Sequence, residues 1–355
     1  MQKRQIKYFL GTNSSSGFYS LFNELYDPEE NWKAYIIKGG PGTGKSSFMG
    51  KIAQQADAKG YECERIYCSS DIKSLDAVIL PQLKICIADG TAPHIIEPKY
   101  VGVVEKIINL TDFWDYKKLR KNNEQIRDLY AKNSEYHQCA QRFLTAASSL
   151  FSDSRKLAAQ YTDYDKLINY TVKLAKRELG TEKHGKKPKK RLLSAITPDG
   201  LYTFSETMKT LCDKIIIIDD PIGEVSEHIL GILSDYAKGC GYESVVCPSP
   251  TNLNSVEQIL IPELSLAIAR DIKGQEIDPE RKIHARRFMD AQGIKNHKYR
   301  IGFNKKAGLD LQNEAISRIK SAYEVHNELE KYYIDAVDFG LVEEKREQIM
   351  REMGL

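Results

Sequence analysis

Two halves of this 355-residue chain carry the same succession of segments, offset by about 180 residues. LGTNSSSGFYS from Leu10 pairs with LSAITPDGLYT from Leu193, and YIIKGGPGTGKSS from Tyr35 with IIIIDDPIGEVSE from Ile215. SLDAVILPQLKICIA from Ser74 pairs with SVEQILIPELSLAIA from Ser255, so that Pro41 falls on Pro221 and Pro81 on Pro262. Farther along, EYHQCAQRFLTAA from Glu135 pairs with EVHNELEKYYIDA from Glu324. A period this long exceeds that of solenoid repeats and means a duplicated domain.

Between the halves lies GTEKHGKKPKKR, residues 180–191, with no apolar side chain, which reads as a solvated linker. The expected organisation is one domain over residues 1–179, a basic linker over 180–191 and a second domain over 192–355. Contact with a nucleic acid through Lys186, Lys187, Lys189, Lys190 and Arg191 is a weaker reading, because no aromatic residues are interleaved to stack on bases.

Within the first half, Ala34 to Lys38 reads as a buried strand. Lys45 to Lys59 reads as a helix with Phe48, Met49, Ile52, Ala53 and Ala56 on one face and Gly60 closing it. Glu62 to Cys68 and Ile85 to Ala88 read as further strands. Strands alternating with a helix predict an α/β class with parallel sheets flanked by helices and right-handed crossovers. The stretches 116–177 and 309–353 have helical spacing and predict a helical hairpin appended to each half.

Bulk properties narrow the partners. A net charge of +3 gives no argument for a wholesale nucleic-acid or membrane partner, and no apolar run approaches the roughly 18 residues of a membrane span. The seven cysteines form no CxxC pair and no Cys/His zinc spacing, so reduced, packed thiols in a cytoplasmic protein are expected.

Gly39, Gly40, Pro41, Gly42, Thr43, Gly44, Lys45 and Ser46 match G-x-x-x-x-G-K-[ST] in full, between an expected strand and an expected helix. Glycines let main-chain amides converge on phosphate oxygens, and the helix N-terminus adds partial positive charge. Lys45 then reaches the β and γ phosphates, Ser46 offers its hydroxyl to Mg²⁺, and Ser47 lies by the α phosphate. A second carboxylate has to help hold the magnesium from the end of a neighbouring strand. Asp89 is the first choice, Asp71 the rival, and Asp76 a third; His94 sits just beyond Asp89 and is a candidate to line the site. ATP with Mg²⁺ is the expected ligand pair, since no guanine-reading N-K-x-D string occurs.

The corresponding stretch of the second half carries Asp219, Asp220, Pro221, Ile222, Gly223, Glu224, Val225 and Ser226. Aligned on the prolines, the lysine has become Val225 and three carboxylates surround the place for phosphates. Unpaired, such like charges cost several kcal/mol, so this half is not expected to bind a nucleotide in the same way. Arg270, Arg286 and Arg287 are candidates for an arginine finger reaching the first site.

GFYSLF, YIIKGGPGTGKSS, CSSDIKSLDAVILPQLKICIADGTAPH and IEP in the first half, with SAITPDG and ILIPELSLAIA in the second, resemble a family of bacterial P-loop ATPases built from two tandem NTPase-like halves. The resemblance covers most of the chain and implies ATP binding and hydrolysis. Members of that family often carry a phosphate loop in the second half as well, and this chain departs there. An ATPase coupling hydrolysis to movement between its halves leads; a small-molecule or nucleotide kinase and an ATP-sensing scaffold stand beside it, and the second substrate or protein partner is open.

Overall fold

The computed structural model describes residues 5–182, 185–271 and 277–355. In the first half β1 (Ile6–Phe9) leads into a hairpin, β2 (Gly11–Ser14) and β3 (Gly17–Ser20), then β4 (Lys33–Lys38), α1 (Lys45–Ala58) and β5 (Glu64–Tyr67). There follow β6 (Leu75–Leu80), β7 (Ile85–Asp89), β8 (Glu105–Asn109), α2 (Tyr116–Lys121), α3 (Asn123–Ala159) and α4 (Tyr164–Leu179). The second half repeats the series with β9 (Lys189–Lys190), the hairpin β10 (Ser194–Thr197) and β11 (Gly200–Thr203), α5 (Ser205–Leu211), β12 (Lys214–Asp219) and α6 (Glu224–Cys240). It closes with β13 (Val245–Ser249), β14 (Asn252–Ile261), β15 (Leu266–Arg270), β16 (Arg281–His284), α7 (Ala291–Asn296), α8 (Lys298–Ile334) and α9 (Phe339–Met353).

Each half builds a six-stranded sheet of the same order, β1-β5-β6-β7-β4-β8 and β9-β13-β14-β15-β12-β16. The expected parallel sheet is corrected to a mixed one, because β6 runs antiparallel to β5 and β7, and β14 antiparallel to β13 and β15. The reason lies in the short links Pro81–Leu83 and Pro262–Leu264. Each is a single turn closed by a residue in the left-handed region, Lys84 at φ 50° and Ser265 at φ 48°, and leaves no room for the crossover a parallel pair needs.

Alternation along the strands sends side chains to two different cores. Ala34, Ile36, Ala77, Ile79, Cys86 and Ala88 face inward and meet Ile215, Ile217, Leu260, Ala267 and Ala269 of the other sheet in one core that joins the halves. On the outer face of the first sheet, Ile37, Val78, Leu80 and Ile87 pack against Phe48, Met49, Ile52 and Ala56 of α1.

The long helices are not hairpins on their own halves. α3 and α8, each of 37 residues and about 55 Å long, lie against each other as an antiparallel pair. Ile126 meets Leu329 and Tyr333 near one end, and Asp153 holds Arg300 and Asn304 near the other. Having crossed, each chain segment finishes on the opposite half. α4 puts Leu167, Leu174 and Ala175 on α6, while α9 puts Val342, Ile349 and Met353 on the α1 side of the first sheet. Equal lengths align Asn123 with Lys298, so Glu135 corresponds to Asp310 and not to Glu324. The sequence match is slipped by 14 residues, close to four helical turns, a shift that keeps the same residues on the buried face.

Residues 183 and 184 of the basic segment lie outside the described residues. Of the rest, Lys189 and Lys190 add β9 to the edge of the second sheet, and Lys186 and Lys189 pair with Glu263 and Glu243. Arg191 is 3% exposed and gives two hydrogen bonds to Glu64 of β5, both 3.1 Å, plus one to Glu24 O. The segment is therefore a charged edge strand with a buried tie between the halves.

Candidate functional site

β4 ends at Lys38 and delivers the chain into the glycine-rich loop. Gly42 (φ 67°) and Gly44 (φ 81°) adopt left-handed conformations there, which turn successive amides toward one side. α1 then starts at Lys45 with no side-chain cap, so its first-turn amides have no acceptor inside the helix and none from a capping side chain. The loop is locked by Thr43, whose hydroxyl donates to Gly40 O at 2.8 Å and packs against Gly39. The Lys45 ammonium folds over the same loop, donating to Gly39 O and Gly40 O at 2.7 Å each. Ser46 Oγ accepts the Leu75 amide at 2.9 Å, which leaves its proton and a lone pair to act elsewhere, and Ser47 is exposed on α1.

Asp89 ends β7, the parallel neighbour of β4, and its Oδ2 lies 3.4 Å from Lys45 Nζ, both side chains 13% exposed. Its Oδ1 accepts from the amide and hydroxyl of Thr91. Asp71 instead closes its own turn, accepting from the Lys73 amide and the Ser74 hydroxyl. Asp76 starts the buried run of β6; carrying the β6–β7 register on by one position from Ala77↔Ala88 sets it opposite Asp89. His94, 5% exposed, sits with Nε2 3.2 Å from Asp76 Oδ2, its ring stacked on Phe22 and edge-on to Phe18. Burial disfavours the imidazolium, but the Asp76 carboxylate beside it outweighs burial and raises the His94 pKa above its usual value. Cys68 is within reach of the same pair.

Most of what covers the loop comes from the far half of the chain, with Trp114 of the first half beside it. Glu330 Oε1 of α8 accepts the Gly42 amide at 3.2 Å. A Cβ on Gly40 would meet Tyr333 and Trp114, and one on Gly42 would lie 2.7 Å from Glu330 O and 3.0 Å from Ile334. Phe339 lies over Gly44. His326, 3.5 Å away, and then the Gly42 amide hold the Glu330 carboxyl below the usual carboxylate range, against partial desolvation. None of these residues belongs to a motif; helical spacing marks α8 as having a buried face without saying what it touches.

No family model, curated protein or solved structure matches this chain. The two halves therefore serve as each other's comparison. β12 ends at Asp219 as β4 ends at Lys38, but only three residues separate Asp219 from Gly223, where five separate Lys38 from Gly44. The second loop is two residues shorter, so the counterpart of Lys45 is Glu224, the first residue of α6, and not Val225. Arg270 ends β15 where Asp89 ends β7. Lysine and aspartate thus become glutamate and arginine.

The three carboxylates of the second loop are all engaged. Asp220, 2% exposed, accepts from Gly223 N at 3.0 Å and Ser226 N at 2.8 Å, filling the amide concavity at the start of α6 with the protein's own anion. Asp219 pairs with His284 at 2.7 Å, and Glu224 accepts from Tyr164 at 2.7 Å. Of the arginines considered as fingers, Arg270 donates to Asp220 O and packs on Gly223, while Arg287 lies over Tyr170 and Phe288. Both serve the second half itself; Arg286 lies in the exposed turn before Phe288.

A concavity of main-chain amides with a lysine beside it is suited to an anion, and Ser46 with Asp89 supplies the hard oxygen donors that magnesium takes. In the second half the same concavity is already neutralised. No helix among the described residues is long and apolar enough to cross a membrane.

Proposed function

We propose that the first half binds a nucleoside triphosphate, ATP with Mg²⁺, on residues 39–46 and hydrolyses its terminal phosphate. The observation that carries this reading is the uncapped start of α1 beside Lys45, set against its counterpart in α6, where Asp220 occupies the same amides. In this reading the amides and Lys45 take the β and γ phosphates, and Ser46 and Asp89 hold the magnesium, which neutralises charge developing on the transferred group. The Lys45 hydrogen bonds to Gly39 O and Gly40 O are exchanged for phosphate oxygens.

The position of Glu330 favours coupling over simple turnover. A carboxylate on the Gly42 amide occupies a place a phosphate would take and repels it, so nucleotide binding displaces the end of α8. Because α8 runs back to the second half against α3, the displacement reaches both halves. A magnesium-dependent phosphate-release assay, run without and with nucleosides, sugars and nucleic acids, tests this. Release without acceptor is expected; turnover only with an acceptor would make the protein a kinase, and none with any addition would leave a binding protein.

A further inference from the structure

Beside the glycine-rich loop, close enough for Lys45 and Asp89 to act electrostatically on His94, three side chains able to ligate a metal come together. Cys68 follows β5, Asp76 is the second residue of β6, and His94 comes from the segment after β7. One ligand atom from each lies within 4.8 Å of the other two. Asp76 and His94 are each 5% exposed, and Asp76 Oδ2 and His94 Nδ1 are buried without a hydrogen-bond partner. Asp76 Oδ2 and His94 Nε2 stand 3.2 Å apart without forming a hydrogen bond that satisfies the carboxylate oxygen. That spacing is close to the roughly 3.3 Å between N and O ligands on a tetrahedral zinc ion with bonds near 2.0 Å. Stacking on Phe22 and contact with Phe18 fix the imidazole plane.

The second half shows what the same place looks like when it is satisfied from within. Ser249 stands where Cys68 does and Glu257 where Asp76 does, since β13 and β14 repeat β5 and β6 in register. There the Ser249 hydroxyl donates to Glu257 Oε1 at 3.1 Å, and Gln258 donates to Oε2 at 2.9 Å. A thiol replaces that hydroxyl only in the first half, and only there is the carboxylate oxygen left over.

We propose that Cys68, Asp76 and His94 form a binding site for one borderline-soft divalent cation, zinc or cobalt class, with a fourth position open to water. Thiolate and imidazole select such a cation over magnesium, and three protein ligands leave the open position typical of a reactive zinc centre. Binding deprotonates Cys68 and releases that proton to solvent, and an ion held by His94 Nε2 satisfies the orphaned Asp76 Oδ2. The site abuts the loop: Leu75, one residue before Asp76, gives its amide to Ser46 Oγ. Its ligands differ from the neighbouring Ser46 and Asp89 pair assigned to magnesium, and it does not depend on nucleotide binding.

The test is titration of the full-length, chelator-stripped protein with Co²⁺, without nucleotide, read by absorption. One equivalent per chain is expected, with visible bands of four-coordinate cobalt and a near-ultraviolet thiolate-to-cobalt band. Cys68→Ser loses the thiolate band, and His94→Gln loses stoichiometric binding, whereas Cys63→Ser, a buried thiol elsewhere in the same half, keeps both. The serine that occupies this place in the second half makes Cys68→Ser a fold-compatible change, checked by circular dichroism. Absence of the thiolate band from the wild-type protein, or its survival in Cys68→Ser, overturns the proposal, as does loss of the band in Cys63→Ser alone.

Discussion

Lys45 and Glu224 occupy the same place in the two halves, each the first residue of the helix after a positive-φ glycine, and they carry opposite charge. The strand-end residue inverts as well, Asp89 becoming Arg270. One duplicated frame therefore presents one helix start without a side-chain anion on its amides and one where Asp220 fills them. Lys45→Ala is expected to weaken Mg-ATP binding at least about tenfold, or about 1.4 kcal/mol, by calorimetry. Glu224→Lys leaves the stoichiometry unchanged, because Asp220 still takes the amides.

Glu330→Gln removes the charge that competes for Gly42 while keeping the side chain's shape. Mg-ATP affinity should rise about threefold to tenfold, the worth of one exchanged hydrogen bond. A fall would contradict the displacement of α8 by nucleotide.

The same residue has a pH signature. Its folded pKa lies below the ordinary 4.5, so its stabilising contribution is present in full above 4.5 and is lost as pH falls through the lower folded value. The pair with His326 is partly solvated, which limits the contribution to about 1 kcal/mol or less. Denaturant midpoints of wild type and Glu330→Gln should differ just above pH 4.5 and converge as pH falls through the lower folded value.

Asp220→Ala strips the buried anion from the start of α6. Leaving Gly223 N and Ser226 N without acceptors costs about 1–3 kcal/mol, measurable by urea unfolding, and Mg-ATP binding at the first loop is unaffected.

Arg191 and Glu64 make a buried tie between the halves. Arg191→Ala leaves Glu64 uncompensated and should cost about 3–5 kcal/mol, whereas Arg191→Met with Glu64→Leu recovers most of it. Thermal unfolding of wild type and the two variants separates the pair's worth from the cost of an orphaned charge.

Local pattern carried much of this into view. The α1 face of Phe48, Met49, Ile52, Ala53 and Ala56, and the strands around Ile36 and Ile87, follow from spacing that depends only on near neighbours. β6 was hidden because Pro81 reads as the end of a segment, when it is the corner of a tight antiparallel link. Aligning Pro41 with Pro221 concealed the two-residue shortening that puts Glu224 in place of Lys45. The exchange of α4 and α9 and the cover over the loop were illegible for another reason: Gly42 meets Glu330 across 288 positions, and helical periodicity names a buried face but not its partner.

Calorimetric titration of the full chain with Mg-ATP and Mg-GTP, wild type beside Lys45→Ala, bears on the central claim most directly. One site per chain for wild type, a clear preference for ATP, and loss of that heat in Lys45→Ala are the predicted results. No heat and no thermal protection from either nucleotide, or undiminished binding by Lys45→Ala, would contradict a nucleotide site on residues 39–46.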